Sequence, residues 1–435
     1  MLAHYFRLAL VSFRRNKVLT ALMVLAIALG IGACMTTLTV FHVLSGDPLP
    51  GRSATLFHPQ MDPQSKTGYT PGEEPPVQLT RFDAETLLRE KKGDRQAAMT
   101  GGFVSLTPSR PDVDPFMVPA RYTSADMFAM FDMPFEFGRS WSAADDEARA
   151  RVAVISKEMN QRLFSGENSV GRTLRIDRTD FSVIGVLEDW RPMPKFYDIY
   201  AQGGYGQPEG VFLPYATAID LKMSRSGSLD CWGRDPGGDA TGPNAPCTWI
   251  QYWVQLDSPE KKAAYLQYLA NYSDQQRAAG RFERPTNVKL RDVHQWMEFH
   301  RLLPGDVTIQ MWLALGFLIV CLLNTVGLLL AKFLRRGNEI GVRRALGATR
   351  GAIFRQLMVE AGAIGLAGGL LGLAFALGGL WAVRRQPVDY ADLARLDPAM
   401  LLVTFVLAIA CSLLAGALPA WRAMQITPAV QLKAQ

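Results

Sequence analysis

Glu339 and Arg343 stand four residues apart, acid first, in a segment that also carries Lys332, Arg335, Arg336, Arg344, Arg350, Arg355 and Glu360. That spacing and order favour an ion pair along a helix, so the chemistry here is electrostatic. Residues suited to covalent or metal chemistry are sparse. Five histidines, His4, His42, His58, His294 and His300, are scattered, and neither a His-Glu-x-x-His pair nor a Gly-x-Ser-x-Gly elbow occurs. His294 and His300 are near enough to share a metal, or simply line an exposed helix face. Cys231 and Cys247 bracket the Gly/Pro-rich stretch CWGRDPGGDATGPNAPC. In an oxidising compartment the two form a disulfide, and closing a loop of that length contributes roughly 3 kcal/mol on the chain-entropy model. The alternatives are two free thiols or a zinc site, and the latter lacks a nearby third ligand. Tyr200, Tyr205, Trp249, Tyr252 and Trp253 either line a ligand groove or pack inside.

The elements that must position these residues are set by charge patterning. Residues 18–46, 307–331, 361–383 and 398–421 contain no Asp, Glu, Lys or Arg. Each run is long enough to cross a hydrocarbon core of about 30 Å at 1.5 Å per residue. Arg7, Arg14, Arg15 and Lys17 precede the first run, the arginine-rich 332–360 connector follows the second, and Arg422 and Lys433 follow the fourth. By the positive-inside rule both termini and the connector are cytoplasmic. Residues 47–306 are then extracytoplasmic, and their 30 Lys+Arg and 35 Asp+Glu give net −5 within a chain of net +6. The basic balance therefore anchors the chain in a membrane and gives no reason to expect nucleic acid. Ile31-Gly32-Ala33-Cys34 resembles a lipoprotein cleavage site, but the apolar run continues through Leu44, which favours an uncleaved span. Cys34, Cys321 and Cys411 fall inside spans as small apolar residues.

The expected fold is an α-helical membrane protein: four transmembrane helices, with a large mixed α/β extracytoplasmic domain between the first and second. Its parts are 1–46 (N-terminus and helix 1), 47–306 (outer domain), 307–331 (helix 2), 332–360 (connector), 361–383 (helix 3), 398–421 (helix 4) and 422–435 (tail). In the outer domain 151–156, 173–176 and 181–187 read as strands and 157–164 as a helix. The stretch 249–256 alternates as a half-buried strand. A helix over 258–272 starts at Ser258-Pro259-Glu260 and spaces Ala263, Leu266, Leu269 and Ala270 on one side.

Within the connector, Gly337 supplies a break and Asn338 an N-cap, Glu339 suits the first turn, and Gly347 ends the helix. Thr349 can cap the next one. The reading is a separately bracketed helix over 339–346, with Val342, Ala345 and Leu346 on one side and Arg343 and Arg344 elsewhere. Asn324 in helix 2 bonds either across helices or to its own backbone. In helix 3, Gly365-x-x-x-Gly369 and Gly368-x-x-x-Gly372 permit close helix packing, within or between subunits. Spans without charge offer no proton relay or ion site, which argues against an ion-coupled carrier or channel.

The segment EIGVRRALGATRGAIFRQLMVEA resembles the cytoplasmic signature of the MacB/FtsX-type ABC permeases, the mechanotransmission class that includes the lipoprotein-release permeases. LALVSFRRNK resembles that family's basic lead-in. MFAMFDMPFEFGRSW, RVAVISKEMNQRLFSGENSVGRTLRI, FSVIGVLEDW and VFLPYATA resemble its outer domain, and LPAWRAMQITPAVQLK its tail. The resemblance implies an outer domain of two subdomains, one from 50–120 and 250–290 and one inserted between. It also implies that 339–346, with Glu339, Val342, Arg343, Arg344, Ala345, Leu346 and Gly347, is the coupling helix seated on a cytosolic ABC ATPase dimer. A second permease subunit, the same chain or a related one, is implied, together with a periplasmic adaptor or outer-membrane partner. This chain has no Gly-x-x-x-x-Gly-Lys-[Ser/Thr], so ATP and Mg are expected on a separate ATPase, with no cofactor on this chain. The expected function is that of a permease subunit, not an enzyme, driving export or extraction of a substrate at the outer face of the inner membrane. The alternative is ATP-driven signalling to an outer-face enzyme without transport. The 231–247 insertion has no place in the family pattern.

Overall fold

The structure of the chain, a computed structural model, describes residues 13, 17–108, 114–233, 238–302, 305–387, 390–395 and 398–425. Arg7, Arg14, Arg15, Lys433 and part of the loop between Cys231 and Cys247 lie outside them. Two compact units emerge: residues 1–45 with 303–435, and residues 46–302.

In the first unit the uncharged runs are helical. Span one is Lys17–Leu44, span two Gly305–Leu334, span three Arg350–Val383 and span four Pro398–Met424, of 28, 30, 34 and 27 residues. At 1.5 Å per residue each exceeds a hydrocarbon core of about 30 Å. Span three starts well before its uncharged run, so the part of the connector from Arg350 to Glu360 continues the span as helix.

Glycines set the span contacts. A Cβ on Gly368 would lie 2.6 Å from Ile27 Cγ2, and one on Gly372 3.1 Å from Ile31 Cγ2, both in span one. A Cβ on Gly365 would collide with Ser412 Oγ, and one on Gly369 would lie 2.7 Å from Ala408 Cβ, both in span four. Ser412 uses that space to donate to the Ala361 carbonyl at 2.8 Å. The two overlapping glycine pairs therefore face two different spans of the same protomer. Asn324 behaves otherwise than a packing residue would: it lies on the exposed face of span two, and among the described residues it makes no cross-span hydrogen bond. The physical reason is its angular position, about 100° around the helix from the buried row Ala314, Leu318, Cys321, Thr325 and Leu329.

The second unit is one mixed sheet with helices against it. Its strands are β1 (Leu56–Met61), β2 (Leu79–Thr80), β3 (Arg95–Thr107), β4 (Phe116–Thr123), β5 (Phe135–Gly138), β6 (Val152–Ile155), β7 (Thr173–Ile176), β8 (Thr179–Leu187), β9 (Val211–Pro214), β10 (Arg225–Ser226), β11 (Asp230–Cys231), β12 (Cys247–Gln255) and β13 (Val288–Asp292). The order is β13-β1-β12-β3-β4-β9-β6-β8-β5, with β4–β9 and β6–β8 parallel. The two implied subdomains thus share a sheet, because β3 pairs with β12 along Arg95–Met99 and with β7 at Leu106–Thr107.

Strand β12 is buried along its whole length, where alternation predicts only half. It is a central strand between β1 and β3, and its alternate faces pack into two apolar clusters, Tyr252 and Val254 in one and Trp253 in the other. The following helix, Pro259–Ala278, is capped by Ser258, which accepts from the Lys261 amide. It buries Tyr265, Leu269 and Tyr272 and leaves Leu266 39% exposed, so bulkier tyrosines displace the expected Ala/Leu stripe.

A buried ion network ties β4 to the 195–209 segment. Arg121 donates to Asp198 and Glu209, Lys195 reaches Glu209 at 2.8 Å, and Tyr197 donates to Glu209 at 2.8 Å. Burial alone would raise the Glu209 carboxyl, but Arg121 and Lys195 outweigh it and hold it well below the usual range.

Candidate functional site: the connector between spans two and three

The connector helix runs from Gly337 to Ala345. It starts two residues before the expected position, and Asn338 is not its cap. The Arg336 carbonyl already accepts from the Ile340 amide at 3.0 Å, so Asn338 lies inside the first turn. Arg336 takes the cap position with no side-chain cap bond, and its guanidinium points instead to Glu360, 2.8 Å away.

At the far end Leu346 is the C-cap and Gly347 adopts φ +98°. The Gly347 amide donates to Arg344 and the Ala348 amide to Arg343, each at 3.1 Å. This is the paired arrangement that satisfies a helix's last carbonyls and needs a left-handed residue. Thr349 then caps span three, accepting from the Ala352 amide.

The helix buries Gly337, Ile340 and Gly341. Its outward side presents Val342, Ala345 and Leu346, with Val342 55% and Leu346 81% exposed. Three apolar side chains at one helix end, rimmed by arginines, form a surface that gains by being covered. Glu339 pairs with Arg343 at 2.9 Å, as its spacing predicts, and Arg343 also donates to Gln356 of span three at 2.8 Å. Arg344 is half-buried and Gly347 exposed.

Behind the helix lies a group that sequence reading missed. Glu360 is 2% exposed, with one oxygen 2.7 Å from Lys332 and the other 2.8 Å from Arg336. Lys332 is 1% exposed, with Nζ 3.4 Å from Thr20 Oγ1 and 5.2 Å from the Phe13 ring centre. In sequence both look like ordinary flank charges. The one available signal was position: each directly abuts an apolar run, Lys332 after 331 and Glu360 before 361.

The other candidates serve structure. Cys231 and Cys247 are disulfide-bonded across the β11–β12 pair, whereas Cys34, Cys321 and Cys411 are buried free thiols. Trp249, Tyr252, Trp253 and Tyr205 are buried, so they line no open groove. His300 packs its ring against Trp296 and meets the Tyr200 hydroxyl, while His294 lies 3.8 Å from Asp47. Among the described residues no three His, Cys, Asp or Glu side chains group as a metal site.

Comparison with known proteins places these features. Residues 20–272 match the MacB-like periplasmic core domain and 311–428 the FtsX-like permease C-terminal domain. The macrolide export ATP-binding/permease protein MacB of Rhodospirillum rubrum is 28% identical over 98% of this chain and 59% of its own length. The pyoverdine export ATP-binding/permease protein PvdT of Pseudomonas aeruginosa is 24% identical over 85% of this chain and 50% of its own length. This chain thus spans between half and three-fifths of those relatives. Among solved structures, the periplasmic region of MacB from Actinobacillus actinomycetemcomitans aligns over 59% of this chain and 97% of its own, with 14% identity and a TM-score of 0.37.

Proposed function

This chain belongs to the family that joins a MacB-like periplasmic core domain to an FtsX-like permease domain, and from that premise we propose that it is an ABC transporter permease subunit worked by a separate cytosolic ATPase. The observation that carries the reading is the connector helix: nine residues, fastened at both ends, with Val342, Ala345 and Leu346 facing outward. A helix so held moves as a body, and its apolar face is a suitable seat for a partner. ATP and Mg belong to that partner, and no residue of this chain is assigned to hydrolysis.

In this reading the connector and both termini are cytoplasmic and residues 47–306 are periplasmic. Two permease subunits work with two ATPase subunits, beside a periplasmic adaptor or outer-membrane partner. Span one ends at Leu44 and span two begins at Gly305, and the outer domain is the chain between them. On this reading displacement of the connector is passed to that domain, which drives export or extraction of a substrate at the outer face of the inner membrane.

Leu346→Asp tests the reading. Because Leu346 is 81% exposed, the substitution leaves folding and insertion essentially unchanged and places a charge in the contact. A pull-down from native membranes should recover a P-loop ATPase with the wild type and little or none with the variant. Equal recovery from both removes the connector from the coupling role.

A further inference from the structure

We propose that Lys332, Glu360 and Arg336 form a charge latch fastening the connector helix to spans one, two and three, with Glu360 as the positioning residue through which connector motion reaches the spans. The inference rests on the connector being the ATPase contact.

The latch is continuous. Thr20 of span one meets Lys332 of span two, and Lys332 meets Glu360 of span three. Glu360 meets Arg336, the N-cap residue of the connector helix. Arg336 lies 3.5 Å from Glu339, which pairs with Arg343, and Arg343 returns to Gln356, one turn from Glu360. The first three links join different pairs of elements, the next two run along the connector helix, and the last closes the loop on span three.

Energetics separate a latch from plain packing. Dehydrating an ammonium and a carboxylate is costly, and apolar side chains of equal volume often hold helices as well or better. Neighbouring buried residues, Leu329, Phe333, Ile353 and Leu357, already form such a core. What the ion cluster adds is geometry: Glu360 has both oxygens engaged, one by a span and one by the connector. A directional contact of that kind permits one arrangement of the connector and penalises others.

The test uses the full chain with the P-loop ATPase that the wild type captures from native membranes. Glu360→Gln alone strands the Lys332 charge and is expected to lower thermal stability. Lys332→Met with Glu360→Gln removes the stranded charge and is expected to restore wild-type stability and ATPase capture, because Val342, Ala345 and Leu346 are untouched. If the latch transmits motion, permease-stimulated ATP turnover in the double variant stays reduced by about tenfold in kcat, with KM for ATP unchanged. A merely structural cluster predicts recovery of kcat along with stability, and that result overturns the latch while leaving the connector reading intact. If Leu346→Asp captures the ATPase as well as wild type does, the connector reading fails and the latch falls with it.

Discussion

His58 shows how a single residue is governed by its enclosure. Its ring stacks on Trp296 with centroids 3.8 Å apart and meets Trp253 edge-on, and neither ring nitrogen has a hydrogen-bond partner. Burial, with His300 and Arg291 nearby, lowers its pKa well below the usual value, and burial likewise lowers His300 to about 4. The unfolded chain takes up protons on these rings below about pH 6.5, whereas the fold refuses them, so their contribution to stability falls as pH falls. Asp146, raised by burial to about 6, acts in the opposite sense. His58→Phe isolates the histidine. Chemical denaturation of the purified chain between pH 6.5 and 5 should show the variant losing about one proton of slope, ~1.4 kcal/mol per pH unit. An unchanged slope contradicts this. None of it was legible in LFHPQM, because the enclosing tryptophans lie far along the chain. The Cys231–Cys247 pair was legible, since the two are alone together in the domain and bracket one loop.

At the scale of elements, what can be read depends on how locally a contact is set. The connector's C-terminal bracket follows from neighbouring residues, and the structure places it at Gly347 and Thr349. Its start depends on Arg336 reaching Glu360 on another helix, which no local pattern records. Alternation in WIQYWVQL marks a strand but cannot say that both faces are covered. The glycine pairs of span three mark close packing, yet their partners follow from facing: 368 and 372 point to span one, 365 and 369 to span four. Gly368→Val should therefore force span one away and cost about 1–3 kcal/mol. Gly378→Ala, where an added Cβ meets nothing within 4 Å, should be neutral or slightly stabilising. Thermal denaturation in detergent compares the two, and equal melting temperatures would dismiss the packing account.

For the whole molecule, charge sorting announced the architecture: four uncharged runs, an acidic insertion between the first two, and basic flanks. The structure adds that the insertion is one sheet and that a buried ion cluster stands between the connector and the spans. On the proposed function the outward face of the connector is the seat of an ATPase. The most direct measurement places a photo-reactive phenylalanine analogue at Leu346, and as control at the exposed Leu366 of span three. Illumination of native membranes should then join position 346, and not 366, to a P-loop ATPase chain. No such adduct at 346, or equal yields at both positions, contradicts the account.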